Sequence, residues 1–274
     1  MQKYQCFVVL SLICCVVSIV GCAKIQEESN AVETNVSMEE PADKPKDVLI
    51  YIGSTSWITI ELAAVEANTT KNLLESKGIQ AAITESVDTV SEWMIETTAN
   101  GKTNVCILYG VIPSTIYAAG NTQADGSIAE NWIESTDGDT FLNHGDYFGY
   151  YSSDETPNSK ATLQNLMDLP HLDINVEHFE ELQMLITDSG RTLTPSLVSF
   201  QSDRPFPLEQ LDYEWYAEKI FASESGDDEP IGADPIILRD GDRGRIAMVH
   251  QTHHGKNPKG AVAAEIIINY LITE

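Results

Sequence analysis

Two short apolar runs end in histidine and pass directly into polar turns. Thr140-Phe141-Leu142-Asn143-His144 continues into Gly145-Asp146-Tyr147, and Arg245-Ile246-Ala247-Met248-Val249-His250 into Gln251-Thr252-His253-His254. Four of the six histidines therefore stand at or just beyond a strand end. Imidazole and carboxylate groups are the usual ligands of zinc and iron, so His144, Asp146, His250, His253 and His254 could hold one divalent metal ion. The same groups could carry acid–base chemistry, with Asp146 orienting a histidine and favouring its protonated form. A plainer reading makes His253 and His254 solvated loop residues and His144 the end of its strand. All three readings stand on sequence alone, and no cofactor is expected beyond the divalent metal ion of the first.

Other groups are less directive. Trp57, Tyr147, Phe148, Tyr150 and Tyr151 could form a stacking platform for a sugar, or the small core of a surface insertion. Gly53-Ser54-Thr55-Ser56, placed before a helix, could offer free N–H groups to an anion or be an ordinary polar loop. Asp137-Gly138-Asp139 and Asp240-Gly241-Asp242 lack the ligand series of a calcium loop and read as turns.

The elements that must position these residues follow from the apolar pattern. Residues 49–52, 79–83, 105–109 and 140–143 are short continuous apolar runs, the mark of parallel strands buried on both faces. Helices are expected between them over 60–77, with Leu62, Val65, Leu73 and Leu74 inward and Gly78 as the stop; over 90–98, with Val90, Trp93, Met94 and Thr97 inward; and over 128–134. Alternating strands and helices specify an α/β fold, a mainly parallel sheet flanked by helices. Residues 147–231 break the pattern and read as an irregular insertion on the rim, with a weak helix near 177–186 and a strand over 213–221. The runs 236–239 and 243–249, joined at Asp240-Gly241-Asp242, form a hairpin. An amphipathic helix over 260–272 closes the chain. Ligands of such sheets sit outside the carboxyl ends of the strands. That rule brings His144 and His250 together at one rim, with Trp57 and Asp146 nearby.

The first residues carry an address. Lys3 precedes an apolar run over residues 7–20 that ends Ile19-Val20-Gly21-Cys22. The run suits a secretory signal and is too short to span a bilayer, which takes about 20 apolar residues. Its end resembles the bacterial lipobox, so residues 1–21 are expected to be removed and Cys22 to be acylated. Residues 22–46 hold almost no large apolar side chain and form a tether, which leaves 47–274 as one domain. Membrane contact through the lipid and an extracytoplasmic, cell-envelope location follow. With the other cysteines in the signal or acylated, Cys106 stands alone inside Val105-Cys106-Ile107-Leu108 and is expected to be a buried, inert hydrophobe. The formal charge of −26 disfavours nucleic acid as a partner by simple repulsion.

Thr140 through Gly145, with Gly138 and His144, and the ending Gly244-Arg245-Ile246 before a final helix resemble the ThuA-like (trehalose-utilisation) branch of the class I glutamine amidotransferase-like fold. The likeness covers residues 47–146 and 236–272. It implies a flavodoxin-like α/β domain and a connection with carbohydrate. Active amidotransferases of that class place a nucleophilic cysteine in a tight Gly-x-Cys-x-Gly turn. Here the corresponding turn is Asn143-His144-Gly145 and Cys106 lies within a strand, so cysteine-based amide hydrolysis is not expected. The leading expectation is a membrane-anchored protein that binds a small polar, carbohydrate-like ligand. A hydrolase or isomerase acting on carbohydrate through His144, Asp146 and His250, and an interaction module at the envelope surface, are the alternatives.

Overall fold

The computed structural model describes residues 47–121, 125–176, 181–212, 214–227, 230–253 and 256–272. The signal segment, Cys22, the tether and His254 lie outside the described residues. No helix among the described residues is long and apolar enough to cross a membrane.

Five parallel strands form most of the central sheet: β1 (Val48–Tyr51), β2 (Ala81–Thr84), β3 (Val105–Leu108), β5 (Thr140–His144) and β14 (Arg245–Val249). Two antiparallel strands, β13 (Ile236–Asp240) and β10 (Trp215–Ile220), extend it, in the order β10-β13-β14-β5-β3-β1-β2. Register runs Val48↔Ala81, Val48↔Val105, Val105↔Thr140 and Arg245↔Thr140. Val48, Ile50, Val105, Ile107, Leu142 and Ala247 pack on one face, in a cluster that includes side chains of α1 (Ile60–Glu75) and α6 (Lys259–Ile266). Leu49, Cys106, Phe141 and Met248 pack on the other, with α2 (Val87–Thr97) and α3 (Ile128–Ile133). Both faces are covered, which is why the strands read as continuous apolar runs rather than alternating ones.

The helices depart from expectation in two places. α2 buries Val90, Trp93, Met94 and Thr97 as expected. α1 instead buries Ala63, Ala67, Thr70 and Leu74, and leaves Val65 and Leu73 exposed. The cause is close packing against α6: Thr70 Oγ1 donates to the Gly260 carbonyl at 3.0 Å and the Glu66 carboxylate accepts from the Gly260 amide at 2.6 Å. Only small side chains fit between backbones that near. Ala67→Leu is accordingly expected to overpack this seam and cost about 1–3 kcal/mol, measured by urea denaturation. α6 is not amphipathic: Val262, Ala263, Ala264 and Ile266 are all buried, and a π-helical turn, Ile267–Leu271, continues it.

The stretch 147–231 is more ordered than expected. β10 belongs to the central sheet itself. Residues 182–186, expected within a helix, form strand β7 (Leu182–Ile186) because Met184 faces the core while Gln183 and Leu185 face out. β7 joins β8 (Phe200–Ser202), β11 (Ala222–Ser223), β12 (Gly232–Ala233) and β9 (Phe206–Pro207) in a second sheet ordered β8-β7-β11-β12-β9. β4 (Val111–Ile112) and β6 (Tyr151–Ser152) pair in parallel beside the rim. The Cys106 thiol is fully buried and its pKa is raised by burial. Native protein is expected to resist thiol reagents on a timescale over which unfolded protein is labelled at once.

Candidate functional site

The carboxyl rim is assembled from loops that lean on one another. Gly110 and Gly145 have φ of +80° and +97°, and a Cβ on either would lie 2.8 or 3.1 Å from the Ser56 carbonyl. The 53–57 loop can therefore rest on bare backbone, and the Ser56 amide donates to the Tyr109 carbonyl at 2.9 Å. Asn143 ties the next two loops together: its Oδ1 accepts from the Gly110 amide at 2.9 Å and its Nδ2 donates to the Gly145 carbonyl at 3.2 Å. Trp57, Tyr147 and His250 each follow a strand end in the left-handed region, at φ of 65°, 43° and 53°. Such strain in non-glycine residues gathers where side chains are aimed for function.

The two histidines are neighbours but do not form an open pocket. His144 pairs in register with Val249, the residue before His250. Both rings are fully buried. His144 stacks on Tyr109 at 5.4 Å, and its Nδ1 lies 3.2 Å from the Val249 carbonyl. His250 packs against Phe200 at 4.5 Å. Among the described residues, His144 Nε2 and both ring nitrogens of His250 have no hydrogen-bond partner. Burial, reinforced by the Lys259 charge, pushes His144 down to about 3 and His250 well below its ordinary value. Both imidazoles are neutral, which reverses the expectation that Asp146 would favour their protonated forms. Asp146 is bound elsewhere. Its oxygens accept from Arg204 Nε at 2.7 Å and Nη2 at 3.0 Å, a bidentate pair.

Lys259 is the buried strut beneath this corner. Its ammonium donates to the carbonyls of His250 at 2.7 Å and Thr252 at 2.9 Å. Asp234 accepts from Ser202 Oγ and the Gln251 amide, both at 2.6 Å. Burial drives the lysine down and the carboxyl up. His253 points outward, its ring Nδ1 2.7 Å from Asp203 Oδ2. Among the described residues no group of three His, Cys, Asp or Glu is arranged to hold a metal ion. Of the histidines expected to ligate one, His144 and His250 are fully buried with no ring hydrogen bond to a carboxylate, and His253 pairs with Asp203 at the surface.

The open feature of the rim is aromatic. Trp57, Tyr147, Tyr150 and Tyr151 line a cleft of about 440 Å³, closed by Ser159, Lys160, Asp173, Asn175 and Arg204. Trp57 is 44% exposed. Its ring stands 6.5 Å from Tyr150 and 6.2 Å from Tyr151, and Tyr150 meets Tyr147 edge-on at 5.1 Å. The Arg204 guanidinium lies 5.3 Å from the Tyr147 ring centre and donates through Nη1 to Asn175. Lys160 Nζ is 3.4 Å from Asp173. The charges at the cleft thus cancel in pairs. Burial raises the Tyr147 phenol well above its ordinary value, so its hydroxyl stays protonated. Phe148 turns inward onto Phe141 and takes no part.

No family model matches the chain. No curated protein matches it either. Among solved structures, one described as a ThuA-like protein from Bacteroides uniformis is similar to it, with a TM-score of 0.43 at 10% identity. The similarity covers 82% of this chain and 93% of that one.

Of the residues of the resemblance, Gly138, Gly244, Arg245 and Ile246 sit at the amino ends of β5 and β14, away from the cleft, and His144 ends β5 at the carboxyl rim. Arg245 Nη1 donates to the Gly138 carbonyl at 2.9 Å and the Gly244 amide to the Ile133 carbonyl at 2.8 Å. Asp137 and Asp139 likewise accept from the Gly101 and Asn104 amides, as turn residues. Sequence reasoning named the aromatic cluster but missed Arg204, Lys160, Asp173 and Asn175. Arg204 lies 58 residues beyond its partner Asp146, in a proline-flanked stretch with no periodic pattern; nothing local marks it.

Proposed function

We propose that this domain binds a neutral, hydroxyl-rich ligand of carbohydrate type in the cleft walled by Trp57, Tyr147, Tyr150 and Tyr151. The carrying observation is the combination of the exposed Trp57 ring and the part-buried Tyr150 and Tyr151 with hydrogen-bonding groups whose charges are already balanced. Apolar faces of a sugar ring stack on aromatic side chains, while its hydroxyls take up amide, guanidinium and phenol partners. Balanced ion pairs give an anionic or cationic ligand no net attraction. The protein carrying this domain is held outside the cytoplasm by lipid on Cys22, a reading that rests on the order of residues 7–22. Retention of membrane association by Cys22→Ser, with an unaltered mature mass, would remove the anchor.

Calorimetry against a panel of soluble saccharides tests the cleft. Trp57→Ala is expected to weaken binding at least tenfold, about 1.4 kcal/mol, with the fold intact. Equal affinity in the variant would exclude the cleft.

Catalysis through His144 and His250 has no support, since neither ring reaches the surface. The pairing of the exposed His253 ring with the largely buried Asp203, next in sequence to Arg204, favours a second reading in which the domain also performs acid–base chemistry. Saccharide turnover abolished by His253→Ala with binding retained would establish it.

A further inference from the structure

A second cavity of about 600 Å³ opens beside the aromatic cleft. Its wall is largely hydroxyl: Ser54, Thr55, Ser56, Ser152 and Ser153, with Tyr151. Tyr151 lines both cavities, and Ser56 and Trp57 are consecutive residues facing one into each. The 53–57 loop and Tyr151 thus form a shared ridge rather than a barrier between unrelated hollows. Each hollow alone falls within the range of about 300–1,000 Å³ that holds a small ligand.

We propose that the two cavities are adjacent subsites for one extended ligand, a saccharide chain of several linked rings that crosses the Trp57–Tyr151 ridge. This rests on the carbohydrate reading of the aromatic cleft and adds the length of the ligand to it. The chemistry of the second cavity suits the continuation of such a chain. The ridge supplies the stacking surface. Beyond it the serine and threonine hydroxyls offer lone pairs, although several are already committed as donors. Thr55 Oγ1 donates to the Ile58 carbonyl at 2.7 Å, and Ser153 Oγ to Ser114 Oγ at 3.1 Å. Thr55 Oγ1, its proton committed, keeps its lone pairs for ligand hydroxyls that donate, and Ser153 Oγ, which also accepts from the Ser114 amide at 2.9 Å, keeps one. Ile60 and Val111 add two apolar patches for the ring's C–H face. The lining holds one ionisable carboxylate, Glu155, and no cation, which argues against an anionic extension.

The decisive measurement is calorimetric titration of the full domain with glucose and with maltose- and cellulose-type oligosaccharides of two to six rings. Wild type should bind chains of three or more rings at least tenfold more tightly than a single ring. Ile60→Trp, a change at a half-exposed first-turn position of α1, projects an indole into the second cavity across the path of the chain. It should bring long chains to within twofold of the single-ring affinity, while single-ring binding stays at the wild-type value and so reports a folded cleft. Equal wild-type affinity at every chain length would overturn the two-subsite proposal and leave the carbohydrate reading standing. Tenfold length dependence that survives Ile60→Trp would also overturn it, by placing the added contacts elsewhere. Absence of any Trp57-dependent saccharide binding in wild type would overturn both.

Discussion

Arg204→Ala is expected to destabilise the domain by about 3 kcal/mol and to abolish measurable ligand binding. The change removes both arms of the bidentate contact to Asp146, the bond to Asn175 and the cover over the Tyr147 ring. It also leaves the Asp146 carboxylate, only 6% exposed, without its counter-charge. Breaking a buried pair by deleting one partner costs about 3–5 kcal/mol, much of it from the stranded charge. The lower end applies because the Arg204 side chain keeps 15% of its surface in solvent. Asp146→Asn added to Arg204→Ala should recover part of the loss, since an amide is cheaper to bury than an ion. Urea denaturation of the two single variants and the double variant measures this coupling. Additive losses would mean that the pair carries no special weight.

The second large effect is a dependence on acid. His144 is held at about 3 in the folded protein against 6.5 unfolded, and His250 lies well below 6.5. Between those values the unfolded chain binds a proton at each imidazole that the folded chain does not. Their contribution is fully present above pH 6.5 and is lost as pH falls toward 3, by about 1.4 kcal/mol per pH unit for each ring. Asp139, pushed up to about 7 by burial, has the opposite sign: its contribution is present below pH 3.8 and is lost as pH rises toward 7. Asp234, also raised by burial, acts in the same sense as Asp139. The wild-type profile is therefore flattened by cancellation, and a difference exposes the histidine. The destabilisation caused by His144→Gln should shrink by about 1.4 kcal/mol per pH unit between pH 6 and pH 4. A difference that stays constant across that range would show that the imidazole is not held neutral.

The core of this fold is legible because its strands are buried on both faces. Val48 to Tyr51 and Val105 to Leu108 can do little else than line the middle of a sheet. α2 is legible because Trp93 and Met94 are large and its stripe is continuous. α1 is misread for the converse reason: its inward face is alanine and threonine, residues whose apolar signal is weaker than that of the exposed Val65 and Leu73. At the rim, topology places Trp57, His144, Asp146 and His250 at strand ends of one sheet. It does not say which side chains turn inward. His144 ends its strand facing the core, whereas Tyr147 and Trp57 are swung round by left-handed backbone that no sequence pattern announces. The partners that finish the cleft come from 160–175 and 204, where burial and pairing are decided by tertiary contact alone.

The parallel pairing of β5 with β14 joins residues about 105 positions apart, and Gln251, just past β14, donates to the Arg204 carbonyl at 2.6 Å. The cleft wall that carries Arg204 is thus propped by a segment made well after Arg204 itself. On a ribosome, or on any machinery that releases the chain from its amino end, residues 47–207 can emerge and begin to collapse with the Arg204 carbonyl still lacking its Gln251 partner. The cleft wall therefore gains this support only after synthesis has passed residue 251.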